Sequence, residues 1–315
     1  MQWRPNARRN DGSAHARYRQ AIAAGLGEVD PFNLHETVER VAVPLINSFC
    51  GDGSADLIEQ YAFPLTFAVL NAVLGCPTEI AQRAAAGMAA MFEGVGAGGG
   101  AELLMTSLLE LIELKRAEPG DDVTTRMMQH PSALSEPEIV NQVATLYGAG
   151  IEPLQNLIVN ALRLMLTDEQ FGDSALDGSL STRDALDEVL FNDPPMANFC
   201  FTFPKQPILI EGVWLPAHQP VIISMAACNT DPVIGSNRHA GNRAHLAFGG
   251  GPHVCPASSL AYSIAQDAID QLLDSLPEIR LGVPADELTW RTGAFHRALT
   301  TLPVVFPPSP PLSPV

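Results

Sequence analysis

The sequence has 315 residues, of which 46% are hydrophobic and 17% are charged, a composition typical of an ordinary globular protein and not of a disordered chain. Its formal net charge of −17, from 18 basic and 35 acidic residues, argues against nucleic acid or an anionic membrane as the main partner. The five cysteines are scattered without Cys-x-x-Cys spacing, so neither a zinc site nor a disulfide framework is indicated.

No membrane anchor is expected from the hydropathy of the sequence. The N-terminal residues lack the apolar core of a signal peptide. The longest apolar stretch, 61–74, is too short to span a bilayer and contains Pro64. We therefore expect a cytoplasmic protein.

The N-terminal region is predicted to form a helix over residues 13–26, capped by Asp11 or Ser13. His15 and Arg19 are four residues apart and project from one face of this helix. Five of the 18 basic residues lie in the first nineteen positions of an otherwise acidic protein. On the residues alone, a solvated basic helix face is the simplest interpretation.

Apolar periodicity predicts four further helices, at 34–50, 56–75, 78–93 and 101–117. A glycine-rich stretch, 94–100, separates the last two and contains a formal Gly-x-Gly-x-x-Gly pattern. A helical segment precedes it where a dinucleotide-binding fold requires a strand, so we interpret the stretch as a connector and exclude nucleotide binding.

A long helix is predicted over residues 135–166, because Ser135 and Glu138 form a capping-box pattern before a periodic apolar run. Its middle, 148–153, contains two glycines and Pro153. Proline removes the hydrogen bond to the carbonyl four residues back, so the sequence predicts a kinked core helix or a distorted turn whose free carbonyl binds water or a ligand.

The remaining elements are a helix and several strands near the C-terminus. The sequence predicts a helix at 182–191, a β-hairpin within 207–224 and a closing strand at 302–306. The proline-rich tail, 307–315, has no core residues and is expected to be disordered.

Cys255 ends a glycine-rich loop and precedes a predicted helix over 256–276. Pro256 fits the first helical position, and the free N–H groups and dipole of a helix N-terminus favour an anionic sulfur. The glycines at 249–251 allow the backbone to approach a flat partner and to direct N–H groups at the sulfur. The thiolate is suited to bind a metal or to act as a nucleophile with His253 nearby, and the alternative is a buried structural cysteine.

The pattern Phe-x-x-Gly-x-His-x-Cys resembles the haem-binding loop of the cytochrome P-450 family. Its positions are filled here by Phe248, Gly251, His253 and Cys255. The resemblance implies haem b (iron protoporphyrin IX), with Cys255 as the metal ligand and all four residues in the cofactor site. It also implies a mainly α fold with small β-sheets that lacks the N-terminal portion of the family. Residues 1–306 then form one haem-binding domain with an incomplete N-terminus, followed by the tail, 307–315.

Two other segments resemble functional sequences of this family. His15-x-x-x-Arg19 is similar to the pair that binds the haem propionates. Ala149-Gly150-x-Glu152 resembles the stretch over the distal haem face, where the acid manages protons during oxygen activation. The resemblance therefore implies that Ala149, Gly150 and Glu152 are catalytic and that His15 and Arg19 bind the cofactor.

Several departures from the family are visible, one of them Ala257 in place of the family's glycine two residues after the cysteine. Pro153 replaces a threonine of the distal stretch, and Phe191 replaces the arginine of a Glu-x-x-Arg pair in which Glu188 is the acid. An arginine that contacts a propionate is missing before the hairpin. We expect Arg238 or Arg243 to supply a guanidinium to Glu188.

The function implied by the resemblance is a haem-thiolate monooxygenase that inserts one oxygen atom of O2 into a small lipophilic substrate. Electrons would come from a separate ferredoxin-type partner with its reductase. The departures favour a second hypothesis, a haem-binding or apo pseudoenzyme with impaired oxygen activation. Cysteine nucleophile chemistry is the third.

Overall fold

The computed structural model describes residues 4–93, 97–168, 171, 180–233 and 242–313. This part of the chain is mainly helical. Its longer helices are α1 (Gly12–Gly27), α2 (Pro31–Asn47), α3 (Phe63–Leu74), α4 (Thr78–Glu93), α5 (Ala97–Ala117), α6 (Val123–Gln129), α7 (Glu136–Thr167), α8 (Thr182–Asn192), α9 (Met225–Asn229) and α10 (Ser258–Ser275). A π-helical turn, Ile58–Ala62, leads into α3.

The strands are short and form small antiparallel sheets. They are β1 (Ser54–Asp56), β2 (Cys200–Thr202), β3 (Ile208–Ile210), β4 (Val213–Leu215), β5 (Val221–Ile223), β6 (Arg280–Leu281) and β7 (Pro303–Val305). The described strands pair as β1-β7-β6, β2-β5 and β3-β4. The expectation of a mainly α fold with small β-sheets is confirmed.

The core consists of two apolar clusters joined by α7. The first cluster contains side chains from α2, α3, α8, α10 and the C-terminal half of α7, including Leu157 and Leu162. The second contains side chains from α1, α4, α5, α6 and the N-terminal half of α7, including Val143 and Tyr147. Between these halves, residues 148–153 are exposed or only half-buried. The middle of the central helix is therefore the part that the core leaves uncovered.

The long helix begins as the capping pattern predicts. The backbone N–H of Ser135 donates to Glu138 at 2.7 Å, and the Ser135 hydroxyl contacts the same carboxylate at 3.0 Å. The helix then continues without interruption through Pro153 to Thr167. The broken turn that a proline permits is not formed, because packing of both halves of α7 against the core keeps the surrounding residues helical.

The start of α2 differs from the sequence expectation and has a clear local cause. The Asp30 side chain accepts hydrogen bonds from the N–H groups of Phe32 and Asn33 at 2.9 and 3.0 Å, and Pro31 occupies the first helical position. This Asp-Pro signal starts the helix three residues before the predicted position 34. The glycine-rich connector expected at 94–100 is shorter than predicted at its C-terminal end, because residues 97–100 belong to α5. Residues 94–96 lie outside the described residues.

Two expectations about the C-terminal region are wrong. β5 does not belong to the β3-β4 hairpin, because it pairs with β2 in the register Cys200↔Ile223. The tail is not free of core contacts: Asn47 and Leu312 exchange two hydrogen bonds, at 3.0 and 2.6 Å, and Leu312 packs against the first cluster. The Asn47 side-chain amide bonds both the N–H and the carbonyl of Leu312, as a neighbouring strand would, and so holds this part of the tail in place.

Candidate active site

The loop that ends at Cys255 is closed by its own backbone. The Cys255 N–H donates to the Phe248 carbonyl at 2.8 Å, and the Gly249 N–H donates to the Leu246 carbonyl at 2.8 Å. Gly249 and Gly251 have positive φ angles of 74° and 65°. Residues with a side chain enter this left-handed region only with strain, so the fold of the loop depends on glycine at these two positions.

The Cys255 thiol is half-buried at the end of this loop. Burial raises the pKa of the thiol, while the Ala257 N–H and the nearby Arg19 guanidinium lower it. The helix that follows begins at Ser258, so the expected first helical position, Pro256, lies in the preceding turn. The backbone donor to the sulfur is therefore the amide of this turn, two residues after the cysteine.

Two side chains of α1, His15 and Arg19, contact the loop. The rings of His15 and His253 lie 4.1 Å apart, and His253 Nε2 is 3.0 Å from Asp11 Oδ1. Arg19 donates to the Val254 carbonyl. His15 is buried, which lowers its pKa together with the neighbouring His253 and Arg19, against the opposing effect of Asp11. His15 is thus not part of a solvated helix face: the predicted pair and the loop histidine form one group beside the thiol.

The α7 residues expected to be catalytic lie on the uncovered stretch. Ala149 is exposed, and Gly150 is half-buried against Leu70. The Glu152 carboxylate accepts a hydrogen bond of 2.9 Å from Arg291 Nη1, and the same oxygen lies 4.0 Å from His296 Nδ1. The sequence analysis missed both basic residues, since nothing local links positions 291 and 296 to a helix more than a hundred residues earlier.

The thiol loop and the uncovered stretch of α7 border the same part of the core. Ile151, which precedes Glu152, and Ala257, which follows Cys255, both pack against the second apolar cluster. Leu260, on the first turns of α10, packs against both clusters. The two halves of the predicted site are therefore neighbours of one apolar region.

The residues present fit a haem. Cys255 offers the soft thiolate that iron accepts, and the group formed by His15, Arg19 and His253 offers N–H donors suited to carboxylates. A Cβ added at Gly148 on α7, or at Gly250 in the loop, would meet no atom within 4 Å. Open space thus remains beside both elements where a flat group is expected.

The contact expected between Arg243 and Glu188 is replaced by another. Arg243 Nε lies 3.6 Å from Asp187 Oδ1, one residue before the expected acid. Asp187 is buried and also accepts a hydrogen bond of 2.6 Å from the Tyr262 hydroxyl. Glu188 Oε1 accepts a hydrogen bond of 2.6 Å from Asn192. Arg243 contacts Asp187 instead of Glu188 because the Asp187 side chain is on the side of α8 that faces α10. Arg238, the other arginine expected to pair with Glu188, lies outside the described residues.

Phe191, which stands where the family has arginine, makes an aromatic contact toward the cysteine loop. Its ring meets the His245 ring edge-on at 5.5 Å, and His245 lies 5.7 Å from Phe248. Phe248 in turn accepts the N–H of Cys255 through its carbonyl. A chain of rings therefore connects α8 to the loop that carries the thiol.

No model of a protein family matches this chain. It is 29% identical to cytochrome P450 107B1 of Saccharopolyspora erythraea over 315 residues, which covers 95% of this chain and 77% of the relative. It is 28% identical to cytochrome P450 monooxygenase PikC of Streptomyces venezuelae over 317 residues, covering 95% of this chain and 75% of the relative. The crystal structure of P450BioI in complex with an acyl carrier protein ligated to hexadec-9Z-enoic acid has a TM-score of 0.83 and 26% identity, over 96% of this chain and 81% of that one.

The chain is similar to bacterial cytochrome P450s in both sequence and fold, which confirms the resemblance predicted from its motifs. The agreement of these relatives with the expected fold and cofactor makes it a P450-type oxidoreductase that uses haem b. The relatives support haem-thiolate monooxygenase activity, and the pseudoenzyme alternative is not favoured. Across the described residues, no single helix combines the length and apolarity needed to cross a membrane; Ile58–Leu74 and Thr78–Ala90 reach them only as a pair bent by 120°.

Proposed function

We propose that this P450 inserts one oxygen atom of dioxygen into a lipophilic substrate at a site formed by the Cys255 loop, α1 and α7. The observation that carries the proposal is the half-buried Cys255 thiol on a glycine-dependent loop, with Arg19 beside it. When bound, the haem supplies dioxygen binding and oxygen-transfer chemistry. The protein residues bind the cofactor, orient the substrate and move protons.

Cys255 is proposed as the iron ligand, with the Ala257 N–H and Arg19 stabilising its thiolate form. Hydrogen bonds and positive charge near a thiolate tune how strongly it donates to a metal. His15, Arg19 and His253 are proposed to bind the propionates, since each offers N–H donors at one side of the loop. Phe248 and Gly251 are proposed to shape the surface on which the cofactor lies.

Glu152 is proposed to hold and transfer a proton, next to the small residues Ala149 and Gly150, for a reaction in which a bound haem would supply the oxygen chemistry. Its carboxylate is oriented by Arg291 at 2.9 Å. His296 Nδ1 lies 4.0 Å from it, and His296 Nε2 is buried without a hydrogen-bond partner among the described residues. A pair of this kind is able to relay a proton through the imidazole. Because Pro153 has no hydroxyl, this pair takes over proton delivery on this helix turn.

The substrate is proposed to be a small or medium lipophilic molecule. Apolar side chains, including Met88 and Leu104, border the cleft beside the uncovered part of α7. The structural neighbour P450BioI is seen with a long-chain acyl group, which supports an apolar ligand in this fold. Electrons are proposed to come from a ferredoxin-type protein and its reductase.

The experiment is turnover of a panel of lipophilic compounds with a surrogate ferredoxin, its reductase, NADPH and isotopically labelled dioxygen. We expect a product that contains one labelled oxygen atom, and no product from Cys255→Ala. Glu152→Gln should lower the product formed per NADPH consumed, while Glu136→Gln, a half-buried position at the start of the same helix, should not. A haem-loaded protein that reduces no dioxygen, or a product labelled only from water, would contradict the proposal.

A further inference from the structure

Beside the uncovered part of α7 lies a cleft of ≈ 200 Å³ whose rim is basic, in contrast to the acidic protein as a whole. Its walls are formed by apolar and small residues of α4, α5 and α7, among them Met88, Leu104 and Gly148. Its rim carries Arg4, Arg8 and Arg9, although the chain as a whole has a net charge of −17. A concentration of positive charge on one side of an apolar cleft points to a ligand with one anionic end.

The segment that bears these arginines is built into the fold. Gln142 of α7 is fully buried; its Oε1 accepts from the Ala7 N–H at 3.1 Å, and its Nε2 donates to the Pro5 carbonyl at 2.9 Å. Asn10 closes the same segment, because its Nδ2 donates to the carbonyls of Arg4 and Asn6 at 2.9 and 2.7 Å. The arginines are therefore presented by a fixed loop docked on the central helix.

The polar groups around the cleft differ in what remains available to a ligand. Asn6 accepts from the Arg9 N–H, Asn141 donates to the Pro137 carbonyl, and Thr145 donates to the Asn141 carbonyl. In contrast, no carboxylate oxygen lies within 4.0 Å of a side-chain nitrogen of Arg4 or Arg8 in the part of the chain that the structure describes. The guanidinium groups of Arg4 and Arg8 are therefore the donors available to a ligand.

Arg8 also has an environment that strengthens its attraction for an anion. Although the residue as a whole is exposed, its guanidinium lies 4.5 Å above the ring of Phe199, which packs at 5.7 Å against Phe295. Loss of water and repulsion from Arg9 lower the pKa of Arg8, but the group stays protonated at neutral pH. A bound anion relieves that repulsion in a partly dehydrated place.

We propose that the substrate is an amphipathic carboxylic acid whose carboxylate is bound by Arg8, with Arg4, and whose apolar chain lies in the cleft toward Gly148 and Ala149. Arginine pairs with a carboxylate through two parallel hydrogen bonds and so fixes the orientation of the chain. The inference rests on the proposed function, because it names the substrate class of the same site. The other source of a carboxylate is a haem propionate, and the test separates the two.

The test compares binding of decanoate, dodecanoate and tetradecanoate with that of the alcohols of equal length, for wild type, Arg8→Gln, Arg4→Gln and Arg40→Gln. Arg40 lies on the exposed side of α2 and is the control. Binding is measured by calorimetry and by the shift of the Soret band of the haem-loaded protein, and haem content is measured on each sample. Wild type and Arg40→Gln should bind the acids on the order of 10- to 100-fold more tightly than the alcohols, the effect of a hydrogen bond to a charged group. Arg8→Gln should lose that preference at unchanged haem content.

Equal affinity for acid and alcohol in the wild type, no binding of either series, or an undiminished preference in Arg8→Gln would overturn the inference. Loss of haem from Arg8→Gln would assign the arginine to a propionate and would also overturn it. Calorimetry reports acid binding whether or not the thiolate forms, so acid binding without oxidation rejects the proposed function alone. Oxidation of neutral compounds without any acid preference rejects the substrate inference alone.

Discussion

The Tyr262 hydroxyl donates a hydrogen bond of 2.6 Å to the buried carboxylate of Asp187 and thereby joins α10 to α8 behind the cysteine loop. The same hydroxyl lies 2.8 Å from the Arg183 carbonyl, and Arg243 reaches the carboxylate from the segment that leads into the loop. This buried acid connects the helix before the loop, the segment entering it and the helix leaving it. It stands one residue before the position of the family acid.

Asp187→Ala should therefore destabilise the fold around the loop. It removes the charged acceptor of the Tyr262 hydroxyl, which keeps only the Arg183 carbonyl, and loss of a hydrogen bond to a charged group lowers the free energy of unfolding by about 1.5–3 kcal/mol. Haem content should fall with it. Denaturant titration and haem stoichiometry measure the effect, with Asp274→Ala on the exposed side of α10 as the control. If the two variants are equally stable and retain equal haem, Asp187 does not anchor the loop.

Phe191→Arg tests whether the arginine of the family would still fit. Phe191 is only 5% exposed and its ring contacts His245, so a guanidinium placed there is buried beside an imidazole. We expect a loss of unfolding free energy of about 3–5 kcal/mol, as for other poorly paired buried charges. Phe191→Leu keeps the site apolar and should lose about 1 kcal/mol. Higher haem content or a higher melting temperature in Phe191→Arg would show that the family pair can be restored, against this interpretation.

The glycine loop offers a matched set of substitutions. Gly249 and Gly251 have φ angles of 74° and 65°, whereas Gly250 has φ −153°, and an added Cβ at Gly250 meets nothing within 4 Å. Gly249→Ala and Gly251→Ala should each lower the free energy of unfolding by about 1–2 kcal/mol because of the left-handed conformation. Gly250→Ala should be neutral or slightly stabilising. Three equal melting temperatures would argue against this loop conformation.

Glu138 predicts a specific acid dependence of stability. Its hydrogen bonds with Arg17, and secondarily with Ser135 and Tyr18, lower its pKa to about 2. The stabilisation is fully present above the ordinary value of 4.5 and is lost as the pH falls toward 2. Glu138→Gln should be less stable than wild type by about 1–2 kcal/mol at neutral pH, after screening by solvent. The melting temperatures of wild type and Glu138→Gln should converge as the pH approaches 2. A difference between the two that stays constant with pH would contradict the assignment.

Much of the fold follows from local signals in the sequence. The capping box at Ser135 and Glu138 starts α7 as expected, and the spacing of His15 and Arg19 predicts a shared helix face, which the structure confirms. The errors are also local: the Asp30 cap was overlooked, and the assignment of β5 to a hairpin ignored a partner at β2.

The site could be predicted only in part, because its parts come from distant segments. The cysteine motif identifies the loop, but the contacts Asp187–Arg243 and Glu152–Arg291 join positions that are far apart in the sequence. Short periodicities carry no information about such pairs. Such pairs depend on which side of a helix each side chain occupies: on α8, Asp187 faces α10 and Glu188 does not.

The central claim is that Cys255 binds iron as a thiolate, and the carbon-monoxide difference spectrum of the reduced protein tests it most directly. Haem stoichiometry is determined on the same sample, with Cys255→Ala and Cys228→Ala as the paired variants. We predict a thiolate-type Soret band at about one haem per chain for the wild type and Cys228→Ala, and its loss in Cys255→Ala. A band typical of a neutral ligand, or an unchanged spectrum in Cys255→Ala, would contradict the claim.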